Sequence, residues 1–162
     1  MNRFITADSA KCIGCRTCEV ACVVSHQHDR SCSTVSATQF APRIRVVKSG
    51  ELSTATLCRQ CEDAPCANVC PQGAIRRENK AWRVDQRRCI GCKSCMVACP
   101  YSAMTVMMTD DGVQALKCDL CSHSEDGPAC VAACPTQALR CMTAEELERL
   151  SAGRRRLTAL AM

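Results

Sequence analysis

Sixteen of the eighteen cysteines fall into four groups of four, at spacings that let thiols hold metal. The groups are Cys12-x2-Cys15-x2-Cys18-x3-Cys22, Cys58-x2-Cys61-x4-Cys66-x3-Cys70, Cys89-x2-Cys92-x2-Cys95-x3-Cys99 and Cys118-x2-Cys121-x8-Cys130-x3-Cys134. A proline follows the last cysteine of groups two, three and four (Pro71, Pro100, Pro135), whereas group one has Val23 there. A Cys-x2-Cys-x2-Cys loop wraps tightly enough to give three thiolates to three irons of one cubane. The cysteine four positions later lies one helical turn on and projects past that cubane. The proline then helps end the turn and leads the chain away. Zinc usually takes two Cys-x2-Cys pairs around one ion, which Cys58, Cys61, Cys66 and Cys70 could supply. In groups one and three, three thiolates at x2-x2 spacing crowd a single tetrahedral ion. The spacing favours four [4Fe–4S] clusters over a zinc-binding interaction module, and over a disulfide framework.

The elements that must position these cysteines are short. Gly73-Ala74-Ile75-Arg76 and Trp82-Arg83-Val84-Asp85 flank a Glu78-Asn79-Lys80 turn. Ala103 to Met108 and Val113 to Leu116 flank Asp110-Asp111-Gly112, whose Asp-Gly is a hairpin signal. Cys70 to Cys89 and Cys99 to Cys118 are both 19 positions, so the hairpins repeat with the motifs. A third hairpin is expected at Arg43 to Val47 and Leu52 to Leu57, around Ser49-Gly50. Residues 23–42, rich in Ser, Thr and His, are expected to form a surface loop. Residues 143–150 are expected to form a helix with a Thr143/Glu146 capping box. Beyond it, 151–162 with Arg154-Arg155-Arg156 is expected to be a mobile or partner-bound tail.

Composition points the same way. Leu, Ile, Val and Phe number only 28 of 162 residues, too few for an ordinary packed core, so something besides side-chain packing must hold the chain. No stretch reaches the ~18–20 apolar residues of a membrane span, and Met1 to Asp8 lacks a signal-peptide apolar region. The expectation is a reducing, cytoplasmic setting, where thiols act as metal ligands. No GxGxxG, Walker A, HExxH or GxSxG pattern occurs, and no acid/base pair or activated nucleophile is visible, which disfavours an enzyme. The formal charge is +5 with thiols neutral. Four oxidised clusters of about −2 each would bring it to about −3, which disfavours nucleic acid as a partner.

Groups two and three together resemble the bacterial two-cluster ferredoxin, including Gly73-Ala74-Ile75 after Cys-Pro, and in that run the fourth cysteine ligates the other cluster. Groups one and four are then left to pair. The sets this implies are Cys12, Cys15, Cys18 with Cys134; Cys118, Cys121, Cys130 with Cys22; Cys58, Cys61, Cys66 with Cys99; and Cys89, Cys92, Cys95 with Cys70. Sequential pairing of one with two and three with four is the alternative, made less natural by the 36 positions from Cys22 to Cys58.

The stretches Cys12-Ile13-Gly14-Cys15-Arg16-Thr17-Cys18-Glu19-Val20-Ala21-Cys22, Cys58-Arg59-Gln60-Cys61-Glu62-Asp63-Ala64-Pro65-Cys66 and Lys117-Cys118-Asp119-Leu120-Cys121 are similar to those of the four-cluster iron–sulfur subunits of molybdopterin oxidoreductases. Within them they resemble the small HydN/HycB-type proteins that accompany formate dehydrogenase and hydrogenase. The resemblance implies an α+β fold of two ferredoxin-like halves related by pseudo-twofold symmetry. Residues 1–57 plus 101–142 would form one half, 58–100 the inserted half, and 143–162 a C-terminal helix and basic tail. It implies an electron-transfer subunit, partnered by the catalytic subunit of a molybdenum or tungsten formate dehydrogenase and by a hydrogenase or another iron–sulfur subunit. An accessory role in maturing those enzymes is the alternative. Larger members carry a C-terminal membrane helix or longer insertions that are not found here.

A chain of this length, if compact, is about 40 Å across, so clusters in a line would lie about 10–12 Å apart. Lys11, Arg88 and Lys117 each precede a motif's first cysteine; exposure in water is the expectation, with raised cluster potentials the alternative. Cys32 is expected to be a surface thiol and Cys141 a small buried residue. His26, His28 and His123 are expected to be solvated, and Trp82 and Tyr101 to serve packing.

Overall fold

In the computed structural model, which describes residues 3–109 and 111–161, four two-stranded antiparallel sheets alternate with the cysteine loops. Met1, Asn2, Asp110 and Met162 lie outside the described residues. β1 (Arg3–Ala7) pairs with β8 (Leu139–Thr143), joining the two ends of the chain. β2 (Ile44–Ser49) pairs with β3 (Leu52–Leu57), β4 (Ile75–Glu78) with β5 (Ala81–Val84), and β6 (Thr105–Thr109) with β7 (Gly112–Leu116). In β3 every second residue is buried, as are Ile44 and Val46 in β2, and the inward pairs Ile44↔Leu57 and Val46↔Ala55 face the core.

The hairpin tips differ slightly from the sequence expectation. Glu78 pairs with Ala81, so the turn is Asn79-Lys80 alone, both at positive φ (48° and 66°) as a type I′ turn requires. Gly112, at φ 102°, opens β7 opposite Thr109, so it belongs to the ladder. Ser49 likewise pairs with Leu52, leaving Gly50-Glu51 as the tip.

The helices sit on the motifs. α1 (Thr17–Ser25) carries Cys18 and Cys22, α2 (Pro65–Asn68) carries Cys66, α3 (Ser94–Ala98) carries Cys95, and α4 (Ala129–Ala132) carries Cys130. α1 packs against α4, and α2 against α3. The loop read at 23–42 starts later, because α1 continues through Ser25 with Val23 buried. It contains two single-turn 3-10 segments, each begun by a serine (Ser31, Ser36) whose hydroxyl accepts a backbone amide two residues on. The expected C-terminal helix is present with its capping box: the Glu146 amide donates to Thr143 Oγ1 at 3.2 Å and the Thr143 amide to Glu146 Oε2 at 2.7 Å. It runs further than expected, α5 (Ala144–Leu160), so the Arg154-Arg155-Arg156 run is helical. Residues from Glu145 onward are mostly good helix formers and the helix holds no proline, so nothing stops it at residue 150. No described helix is long and apolar enough to cross a membrane.

Two small cores result, and cysteines are part of both. One gathers Ile5, Ile44, Val46, Leu57, Leu120 and Leu139 around Cys18, Cys22, Cys118 and Cys130; the other gathers Ala64, Ile75, Met104 and Ala115 around Cys66 and Cys95. Met104 and Ala115 thus pack with residues of 58–100, because the β6–β7 hairpin folds back over motif three. There the Gln86 side chain donates to the Ala115 carbonyl (2.8 Å) and accepts its amide (3.1 Å).

Candidate metal centres

The four cysteine loops share one backbone feature. The second residue after each leading cysteine is left-handed: Gly14 (φ 71°), Gln60 (52°), Gly91 (70°) and Leu120 (58°). Motifs one and three add a second left-handed residue after the next cysteine, Arg16 (62°) and Lys93 (63°); in motif four the next cysteine, Cys121 (48°), is itself left-handed, and motif two adds none. The Cys-Pro turns repeat as well. The Gly73, Ser102 and Gln137 amides donate to the carbonyls of Cys70, Cys99 and Cys134 three residues back, and all three residues are left-handed. One residue later, the Ala74, Ala103 and Ala138 amides donate to the sulfurs of the same cysteines at 3.3–3.4 Å. Motif one has no Cys-Pro turn, and there the Arg43 amide, after buried Pro42, reaches back to Cys22 Sγ at 3.3 Å.

All eighteen cysteines are free thiols. A cavity with about 360 Å³ of empty space is lined by Cys70 together with Cys89, Cys92 and Cys95, and another of about 350 Å³ by Cys99 together with Cys58, Cys61 and Cys66. No His, Asp or Glu lines either one; the remaining walls are chiefly apolar, with the cations Lys93, Arg59 and Lys117. An all-sulfur donor set with amide hydrogen bonds to the sulfurs and apolar walls fits iron–sulfur clusters.

Motifs one and four meet across the α1–α4 contact. Burial pushes the Cys130 thiol far up, reinforced by the sulfurs of Cys22, Cys121 and Cys18. Burial also raises Cys118 well above its usual value, with the sulfurs of Cys130, Cys58 and Cys22 adding to it. Cys15, at the surface, is held below its usual value chiefly by hydrogen bonds from Thr17, against opposing pushes from burial and the Cys134 sulfur. Burial carries Cys18 and Cys66 up to about 11. Thiols crowded and buried in this way resist ionisation unless a cationic metal centre takes them.

Several remaining residues stand elsewhere than expected. His26 is half-buried, whereas His28 and His123 are exposed as expected; the His26 and His123 rings meet across motifs one and four with centroids 4.7 Å apart. His26 Nε2 meets Asp119 Oδ1 at 3.1 Å, Arg43 Nη1 donates to Asp119 Oδ2 at 2.7 Å, and the Cys121 amide donates to Asp119 Oδ1. Burial alone would lower the His26 pKa, but the Asp119 hydrogen bond and contacts to Cys22 carry it up to about 10. His26 and Arg43 hold Asp119, against its burial, well below the usual carboxylate range. No local pattern marks this clasp, because His26 and Asp119 are 93 positions apart. Trp82 and Tyr101 both line the Cys99 cavity, Trp82 donating from Nε1 to the Cys61 carbonyl at 2.8 Å. Cys32 is exposed; Cys141 is only half-buried, its sulfur reached by Arg3. Lys11 and Arg88 are exposed, but Lys117 is buried.

Residues 51–144, which contain motifs two, three and four entire, match the family described as the 4Fe-4S dicluster domain. The chain is 59% identical over 173 residues to the electron transport protein HydN of Escherichia coli (strain K12), across 99% of each chain. It is 38% identical over 190 residues to formate hydrogenlyase subunit 2 of the same organism, across 98% of this chain and 90% of that one. It is 45% identical over 164 residues to the putative oxidoreductase AegA, also of that organism, across 98% of this chain and 25% of AegA. With a left-handed residue repeated in every cysteine loop, cavities whose metal donors are all sulfur and kinship along its whole length, the chain belongs to the 4Fe-4S dicluster family of ferredoxin-type iron–sulfur proteins.

Proposed function

We propose that the chain is a non-catalytic relay carrying four [4Fe–4S] clusters, which passes single electrons between a redox enzyme and an acceptor protein. The observation that supports this reading is that Cys70 lines the cavity of motif three and Cys99 the cavity of motif two. The ligand sets are then Cys12, Cys15, Cys18, Cys134; Cys118, Cys121, Cys130, Cys22; Cys58, Cys61, Cys66, Cys99; and Cys89, Cys92, Cys95, Cys70. The clusters supply one-electron chemistry; the chain holds them, donates amides to their ligands and shields them from water.

Exposure differs among the ligands in a way that suits a relay. Cys15 and Cys92 are exposed, while Cys58, Cys118 and Cys121 are buried. Exposed Ile13 and Ile90 flank the two exposed sulfurs, with Arg16 and Lys93 beside them, so the motif-one and motif-three loops are the ports for redox partners. A formate dehydrogenase catalytic subunit and a hydrogenase, or another iron–sulfur subunit, are the partners we propose. The relative named as a formate hydrogenlyase subunit supports this. So does AegA, where a matching segment forms a quarter of a longer putative oxidoreductase.

Anaerobic purification is expected to yield about sixteen iron per chain, with matching sulfide and negligible zinc. About four zinc without sulfide would overturn the reading. Cys99→Ala is expected to damage the cluster of Cys58, Cys61 and Cys66 more than that of Cys89, Cys92 and Cys95. Paramagnetic spectra showing the reverse would refute the crossing.

A further inference from the structure

Lys117 is a buried cation without an anion of its own among the described residues. It is 2% exposed, and its Nζ donates only to two backbone carbonyls, Trp82 O at 2.8 Å and Cys118 O at 3.4 Å. Of the ion pairs among the described residues, none involves it. Removing an ammonium from water is costly unless an opposite charge compensates, and two neutral carbonyls do not supply one. The side chain leaves motif four and crosses to the cavity lined by Cys58, Cys61, Cys66 and Cys99.

The position is rigidly built. Gln60, 1% exposed, donates from Nε2 to the Cys118 carbonyl at 2.8 Å and accepts the Trp82 amide at 2.8 Å. Motif-two loop, β5 and motif-four loop are therefore tied together at the residues that receive the Lys117 head. The arrangement is also asymmetric. Before Cys58, the place matching Lys117 in the repeat holds Leu57, buried and apolar. Lys11 and Arg88 hold the other two places but are exposed, where water and salt screen them.

We propose that Lys117 is a built-in counter-cation for the motif-two cluster: a positioning residue whose charge favours the reduced form of that cluster. The proposal rests on the iron–sulfur reading above. The step is the gain of one electron by the cluster, making its charge one unit more negative; no bond forms or breaks.

The test uses the full chain, purified anaerobically as wild type, K117M, K117Q, K117R and, to mark the motif-two signal, C61S. Iron and sulfide content come first, then redox titration with dithionite followed by paramagnetic resonance. In K117M and K117Q the reduction equilibrium of the marked cluster should fall at least tenfold, a potential about 59 mV lower. The fall should persist at high ionic strength, the other clusters should move less, and K117R should stay near wild type. If both neutral variants lose that cluster while K117R keeps it, the charge requirement shows in assembly and the proposal stands. Unchanged potentials, a shift confined to another cluster, or K117R behaving like K117M would overturn it. Absence of iron and sulfide from the wild-type chain would instead sink the iron–sulfur reading.

Discussion

Glycine at positions 14 and 91 answers to space more than to backbone angle. Gln60 and Leu120 adopt the same left-handed conformation in their loops, so φ alone does not demand glycine. At Gly91 an added Cβ would run into Val113 of the overlying β7, and at Gly14 it would come within 2.9 Å of Ser53 Oγ in β3. Gly91→Ala is therefore expected to cost about 1–3 kcal/mol through the Val113 clash and backbone strain. Anaerobic thermal unfolding of the single variants and of Gly91→Ala with Val113→Ala would check this. The double variant should recover part of the loss, whereas strict additivity would rule out the contact as the cause. The Asp119 clasp works at the same scale: one carboxylate orders the Cys118–Cys121 loop through the Cys121 amide while holding Arg43, whose own amide serves Cys22.

At the scale of elements, helices of one turn cannot stand alone, and α2, α3 and α4 are held by what lies at both ends. A left-handed loop residue or a proline starts each: Lys93 before α3, Pro65 within α2 and Pro128 before α4. The pairing of α1 with α4 and α2 with α3 brings motifs of different sequence position together. α5 is different, since no residue of it is buried and it leans only on β8 among the larger element contacts. Its start depends on the Thr143 cap. Thr143→Ala is expected to weaken α5 by about 1 kcal/mol. Amide exchange in 144–160 should quicken while iron content holds steady; an equal loss of iron would show α5 coupled to the cluster sites.

For the whole molecule, the sulfurs occupy places that bulky side chains fill in ordinary proteins. Among the described residues, Ile5, Ile44 and Gln60 are the largest side chains that are almost wholly buried, and eight of the twenty-four buried apolar residues are cysteines. Such a core lacks the apolar area that would hold 162 residues on its own. Removing iron by anaerobic chelation is expected to unfold most of the chain, with loss of far-ultraviolet helix and strand signal, because metal binding here is folding free energy. A stripped protein with unchanged dichroism and exchange protection would contradict that.

Local spacing was enough to read the motifs, the hairpins and the Thr143 cap, because each depends on residues within a few positions of one another. It failed where a turn boundary depended on ladder register, as at Gly112, and where nothing in the chain ended a helix, as beyond Leu150. The amides on Cys70, Cys99 and Cys134 were legible in principle, since alanine recurs four places after each of these cysteines. Three things belonged to tertiary structure alone: the burial of Lys117, the meeting of His26 with Asp119, and the gathering of Cys70 and Cys99 into each other's motifs. Each joins segments tens of residues apart, and the free energy of such contacts depends on burial and geometry that exist only once those segments have packed.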